Sequence, residues 1–171
     1  MRINAAGVIY ESFVDGPGIR TTIFAQGCKR GCRGCHNPQT WEMGAGKDIS
    51  TDEILENIKK DPLISGVTFS GGEPFLQAVA FCELAKELHR AGYNVASYTG
   101  YTFEELYNGT PKQRELLDNI DVLIDSPFIL ELRTLDFPFR GSSNQRIIDV
   151  PESCKQGRAV WLKSESWGTA D

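Results

Sequence analysis

Gly66-Val67-Thr68-Phe69-Ser70-Gly71-Gly72-Glu73-Pro74-Phe75 is the stretch that decides the fold. Its first four residues form a short β-branched and aromatic run, which predicts a buried strand. Ser70-Gly71-Gly72-Glu73-Pro74 is a turn. From Phe75 to Ala91 the positions Leu76, Val79, Cys82, Leu84, Ala85 and Leu88 recur at helical spacing, and Gly92 closes the helix. A strand that turns directly into a long helix is half of a βαβ unit. Upstream, Asp15-Gly16-Pro17-Gly18 is a turn ahead of a strand over Ile19–Ala25. Ser50 and Glu53 there have capping-box spacing for a helix that Asp61-Pro62 ends. Downstream, strands are predicted over Asn94–Tyr98, Val122–Ile124 and Arg146–Val150, with helices over Phe103–Tyr107 and Lys112–Asn119.

Strands alternating with helices indicate an α/β protein with a parallel sheet and right-handed crossovers. The 171 residues suit one domain, 1–171, and fall short of the roughly 250 that a complete eight-fold barrel needs. The expected architecture is a partial, open (β/α) barrel of about five to six parallel strands. Ligands of such folds gather at the carboxyl ends of the strands. The cysteine loop after Ala25, the Gly-Gly-Glu turn, Thr99-Gly100 and Asp125 all stand at such ends.

Apolar residues make up 40% of the chain and charged residues 24%, the proportions of an ordinary globular protein. No apolar run approaches a membrane span, and Met1–Tyr10 has no long apolar core, so a cytoplasmic protein is expected. The net charge of −5 gives no sign of nucleic-acid binding. Five cysteines without an export signal speak against a disulfide framework. Cys82 lies in a helical apolar stripe, Cys154 in a loop-like tail, and Trp41, Trp161 and Trp167 are read as packing residues.

Cys28-Lys29-Arg30-Gly31-Cys32-Arg33-Gly34-Cys35 is a C-x₃-C-x₂-C run. Thiolates are soft ligands suited to zinc and to iron–sulfur clusters. A closed zinc site needs four ligands, and no fourth is evident here. On spacing alone, zinc and an iron–sulfur cluster with one open iron both remain. Lys29, Arg30 and Arg33 make this loop basic.

The run resembles the signature of the radical S-adenosylmethionine superfamily, and Ser70-Gly71-Gly72-Glu73-Pro74 resembles that family's Gly-Gly-Glu turn. The resemblance implies one [4Fe–4S] cluster on Cys28, Cys32 and Cys35, with S-adenosylmethionine chelated at the open iron. It also implies reductive cleavage to a 5′-deoxyadenosyl radical. Gly71, Gly72 and Glu73 would hold the methionine end. Many members carry an aromatic residue before the third cysteine, where this chain has Gly34, so His36 is the candidate ring contact. Thr99 and Asp125 are candidate cofactor contacts, Asp125 being equally a candidate helix cap. No catalytic residue is implied beyond the cluster and S-adenosylmethionine.

Asp15-Gly16-Pro17-Gly18-Ile19-Arg20, Cys35-His36-Asn37-Pro38 and Trp41 are similar to activases of glycyl radical enzymes. Tyr98-Thr99-Gly100-Tyr101, Asp121–Asp125 and Arg140–Arg146 are similar to the branch acting on anaerobic ribonucleoside-triphosphate reductase. That implies a partner whose large subunit presents a glycine for hydrogen abstraction, with Asp15 and Arg20 as candidate contacts to the glycine-bearing loop. The basic loop suggests an acidic, flavodoxin-like electron donor. The rivals are an activase of the pyruvate formate-lyase type, a small-molecule radical enzyme such as a deazaguanine synthase, and a non-catalytic zinc or iron–sulfur module.

Overall fold

A computed structural model describes residues 1–170. Its strands are β1 (Arg2–Ser12), β2 (Arg20–Ala25), β3 (Lys47–Ser50), β4 (Gly66–Gly71), β5 (Asn94–Tyr98), β6 (Val122–Asp125) and β7 (Arg146–Asp149). They form one seven-stranded sheet in the order β3-β1-β2-β4-β5-β6-β7. The middle four, β2-β4-β5-β6, are parallel. The open (β/α) arrangement is therefore present, with four parallel strands where five or six were expected. β1 pairs antiparallel with β2, β3 with β1, and β7 with β6. The connections account for this. β1 and β2 are joined across the short 13–19 turn, which permits only an antiparallel hairpin, since a parallel pair needs a crossover of a dozen or more residues. β7 returns after the excursion 126–145, which contains only a 3₁₀ turn over Leu130–Leu132 and no crossover α-helix.

The helices are α1 (Thr51–Lys59), α2 (Ala78–Arg90), α3 (Phe103–Tyr107), α4 (Pro111–Leu117) and α5 (Val150–Gln156). Two local expectations need correction. Ser50 makes no side-chain cap at α1, because it ends β3 opposite Arg2 and the Thr51 N–H goes to Met1 O at 3.0 Å. Cys154 lies in α5 rather than in a loop. The helix begun at Phe75 opens as a 3₁₀ turn over Pro74–Gln77. Val79 on it faces outward, while Phe81 enters the core.

Side chains alternate across the sheet with period two. Val67, Phe69, Val95, Leu123 and Ile148 join the main core with Ile54, Phe81, Leu84, Leu88 and Leu116 of the helices. Ala96, Val122, Ile124 and Ile147 form a second cluster with Trp167, Tyr98 and Phe139. Trp167, 5% exposed, packs edge-on to Phe139 with ring centroids 5.2 Å apart. A Cβ added to Gly16 would lie 3.0 Å from the same indole. One side chain of the segment after β7 thus touches both the β1–β2 turn and the 126–145 excursion. Trp161, by contrast, is 45% exposed and is no core residue. Among the described residues no helix is long and apolar enough to cross a membrane.

Trp167→Ala is expected to lower unfolding free energy by about 3 kcal/mol, the cost of emptying a well-packed aromatic site. Urea denaturation followed by circular dichroism measures it, and a loss below ~1 kcal/mol would show that the second cluster does not depend on the indole.

Candidate functional site

The carboxyl ends of the parallel strands surround a cavity of about 500 Å³. Cys28, Cys32, Cys35, His36, Gly71, Gly72, Glu73, Thr99 and Asp15 all line it. Its two principal loops are joined backbone to backbone. The parallel ladder of β2 and β4 ends at Ala25 opposite Gly71. Beyond it, Gly72 N–H donates to Ala25 O at 2.8 Å and Glu73 N–H donates to Gly27 O at 2.9 Å. A Cβ on Gly71 would lie 2.7 Å from the Phe24–Ala25 backbone, and one on Gly72 would lie 2.4 Å from Gly27 O. Gly71 also has φ +89°, in the left-handed region. The glycines are therefore required by this close approach of the two loops. The cysteine loop is pinned at its base by Gly27 N–H to Thr40 O at 2.7 Å and Cys28 N–H to Trp41 O at 3.1 Å.

The three thiols share the cavity wall, but among the described residues no three His, Cys, Asp or Glu side chains converge on a point suited to one metal ion. A mononuclear site would draw its thiolates to about 2.3 Å from a single centre, whereas a cubane takes each on a different corner. Burial pushes the Cys28 thiol up, and the charges of Glu73, Cys32 and Cys35 add to this. Cys35 Sγ accepts the Asn37 N–H at 3.4 Å. The His36 ring lies 5.0 Å from that of Phe128.

Glu73 is 2% exposed. Its carboxylate accepts Phe75 N–H at 3.1 Å, the Thr99 hydroxyl at 2.9 Å and Gly100 N–H at 2.8 Å. It therefore ties the end of β4 to the end of β5. Burial pushes its pKa up to about 7, against the opposing pull of these donors. Asp15 accepts from Ser12 and Thr22 hydroxyls at 2.5 and 3.0 Å and still lines the cavity.

Two expected site residues are placed elsewhere. Asp125 is fully buried and is not a lining residue. It accepts Phe103 N–H at 2.7 Å, Arg146 Nε at 3.0 Å and Arg146 Nη2 at 2.6 Å. It accepts the first N–H of α3, whose N-cap is Thr102, and its carboxylate turns toward Arg146 rather than the cavity. Arg20 is 2% exposed. It donates from Nε to Thr68 Oγ1 at 2.8 Å and from Nη2 to Val67 O at 2.8 Å. Burial lowers its pKa to about 10. An interior arginine so engaged is no surface charge, and its guanidinium is committed to the neighbouring strands. The basic loop is also partly neutralised, as Arg30 pairs with Glu105 at 3.4 Å and Arg33 pairs with Glu131.

Sequence reasoning missed Ser126, Phe128 and Phe139, which line the same cavity. Among the described residues, Ser126 (φ +79°) and Phe139 (φ +61°) are the non-glycine positions with left-handed backbone. Such strain persists where surrounding structure enforces it. Tyr98 Oη donates to Phe139 O at 2.8 Å, and Asp125 accepts the Ser126 hydroxyl at 3.1 Å. Nothing in the local sequence marks either residue, since the constraint comes from distant elements.

A family model described as a 4Fe-4S single cluster domain matches residues 14–148. The chain is 34% identical over 142 residues to the anaerobic ribonucleoside-triphosphate reductase-activating protein of Haemophilus influenzae, covering 78% of this chain and 90% of that protein. Its identity to the protein of the same description from Escherichia coli K12 is 33% over 141 residues, covering 77% and 89%. It is 42% identical over 106 residues to the pyruvate formate-lyase-activating enzyme of Clostridium pasteurianum, covering 57% of this chain but only 44% of that longer protein. Among solved structures, QueE from Escherichia coli aligns with a TM-score of 0.50 at 17% identity over 73% of this chain and 71% of that one, a likeness of fold.

A carboxyl whose folded pKa lies above its unfolded value binds its proton more tightly when folded. Stability therefore falls as pH rises from about 4.5 through about 7, where Glu73 ionises. Glu73→Gln in the cluster-free chain should flatten this slope, so that the variant gains on wild type between pH 5 and pH 8. Parallel slopes in urea titrations at the two pH values would show that Glu73 is already ionised throughout.

Proposed function

Because the chain belongs to the 4Fe-4S single cluster family of radical S-adenosylmethionine activating enzymes, we propose that it activates an anaerobic ribonucleoside-triphosphate reductase by forming a glycyl radical on it. The observation that carries this reading is the joining of the three-cysteine loop to the Gly-Gly-Glu turn in one cavity. Relatives described as activating this reductase match over nearly their whole length, which favours that target.

A single [4Fe–4S] cluster suits the donor set in chemistry: three soft thiols on one wall of a cavity of about 500 Å³. Cys28, Cys32 and Cys35 would hold it. Bound there and reduced, it would supply the single electron for reductive cleavage of S-adenosylmethionine, the chemistry that lets a hydrogen atom be taken from a glycine. The chain's own residues bind and orient. Gly71 and Gly72 bring backbone close to the thiols for the methionine end of the cofactor. Glu73, its oxygens already taken by Phe75, Thr99 and Gly100, acts by holding the turn and by placing negative charge behind it when ionised. His36 and Thr99 line the wall as cofactor contacts, and Ser126 takes the strand-end place expected of Asp125. Hydrogen-atom abstraction needs no general acid or base. Asp15, which lines the cavity, is read as a contact to the glycine-bearing loop. The electron donor is read as an acidic, flavodoxin-like protein meeting the exposed Lys29 side of the loop. The reading places the protein in the cytoplasm, where thiols stay reduced.

A second reading, activation of a pyruvate formate-lyase-type enzyme, is favoured by the 42% identity to the Clostridium pasteurianum protein. Glycyl-radical EPR decides between them: the reconstituted protein, S-adenosylmethionine and a reductant are mixed with either candidate partner. The reductase is expected to give the signal, and a signal from the lyase alone would reverse the assignment.

Ala substitution at Cys28, Cys32 or Cys35 should abolish both the broad visible absorbance of the reconstituted protein and 5′-deoxyadenosine production. Cys82→Ala and Cys154→Ala should retain both. Iron content unchanged in the triple variant would defeat the ligand assignment.

Removing the charges of Lys29, Arg30 and Arg33 together should slow cluster reduction by an acidic donor at low salt and abolish its salt dependence. Stopped-flow reduction rates test this. Wild-type rates independent of salt would count against a charged encounter.

A further inference from the structure

We propose that Phe137, Arg140 and Trp161, on the β7 side of the cavity mouth, grip the partner polypeptide through a carboxylate carried on an otherwise apolar segment. This rests on the reading above that the substrate is a protein glycine.

Arg140 is the observation that starts the argument. Its guanidinium lies 4.2 Å from the Phe137 ring centroid and 5.4 Å from that of Trp161. A guanidinium offers five N–H donors. Arg140 uses Nη1 toward Gln145 O at 3.3 Å, while its Nε is buried with no acceptor. Among the described residues no carboxylate lies within ion-pair distance of it, whereas Arg30, Arg33, Arg90 and Arg114 each have one and Arg146 has two. Burial without a counter-charge lowers its pKa. A cation held between two rings and left short of acceptors is a costly arrangement in the free protein. Nη2 makes no hydrogen bond and is not buried, so a carboxylate arriving at the Nη1–Nη2 end of the fork supplies the missing counter-charge, and the planar fork favours a two-point contact.

The surroundings indicate a polypeptide rather than a small ligand. Arg140 itself lines the cavity, but the two rings against it, Phe137 41% and Trp161 45% exposed, do not. Leu135, on the same excursion, is 90% exposed, and Val14, from the β1–β2 turn, is 75% exposed; both line the cavity. Exposed apolar side chains grouped about an opening mark an interaction surface. Arginine and tryptophan are the residue types that dominate interface energetics. The unmatched positive charge amid apolar neighbours selects the partner's chemistry: an apolar stretch with an aspartate or glutamate close to the target glycine.

The test uses the reconstituted holoprotein with S-adenosylmethionine and the purified reductase, measuring the dissociation constant of the complex and, separately, that for S-adenosylmethionine. Arg140→Ala is expected to weaken the complex by about ten-fold or more, and Arg140→Lys, which loses the fork and the ring stacking, by nearly as much. Trp161→Ala should weaken the complex several-fold and leave S-adenosylmethionine affinity as in wild type. Raising salt should weaken the wild-type complex more than that of Arg140→Ala. Complex affinities within about two-fold of wild type for both Arg140→Lys and Trp161→Ala would overturn the proposal. So would a loss confined to S-adenosylmethionine affinity in Arg140→Lys, which would move Arg140 to the small-molecule site. Failure of the underlying reading looks different: wild type itself would form neither complex nor glycyl radical.

Discussion

Two backbone hydrogen bonds, from Gly72 N–H to Ala25 O and from Glu73 N–H to Gly27 O, hold the turn after β4 against the exit of β2. Everything chemically distinctive about the molecule depends on that junction. It extends the parallel ladder past its last regular pair and makes the cysteine loop and the Gly-Gly-Glu turn one structural unit. The steric condition is severe, since a side chain at Gly71 or Gly72 would run into the facing backbone. The base of the cysteine loop is closed again by the 40–41 segment. The three thiols therefore stand on a rigid pedestal although the loop between them is irregular, as a site that must orient a reactive group requires.

Buried polar groups extend this rigidity around the cavity. Glu73 ties β4 to β5 through Thr99 and Gly100. Asp125 and Arg146 tie β6 to β7, with Glu104 of α3 completing the network; the two carboxylates push the arginine pKa up. Arg20 crosses from β2 to the backbone and side chains of β4 and β5. Each links neighbouring strands of an open sheet that has no closing strand to keep its curvature. Each is satisfied by several partners, the condition under which a buried charge is tolerable. Arg140 differs from all of them: it makes one hydrogen bond, to Gln145 O, and its Nε is buried without an acceptor.

The inner cluster around Trp167 is what the open barrel has in place of a closed interior. Through Phe139, whose left-handed backbone it supports, this cluster also forms part of the cavity wall. Core packing and site geometry are thus the same contacts seen from two sides. The exposed apolar rim above them leaves the mouth suited to another macromolecule.

Much of this was legible in the sequence. Gly66–Phe69, Asn94–Tyr98 and Val122–Ile124 are strands because short β-branched and aromatic runs lie between turn signals, and Phe103–Tyr107 is the expected helix. Such signals are local, so the sequence carries them whole. The cysteine spacing and the Gly-Gly-Glu turn are local as well, and their meeting followed from both lying at strand ends. β1 and β3 were not legible: β1 alternates weakly and β3 is four residues long, so neither has a pattern that stands out before its partners are known. The direction of Asp125, the burial of Arg20, the strain at Ser126 and the isolation of Arg140 were decided by tertiary structure alone. A carboxylate or guanidinium has the same sequence signature whether it faces a cavity, a counter-ion or nothing. Only the elements packed around it, contributed by segments distant in the chain, determine which.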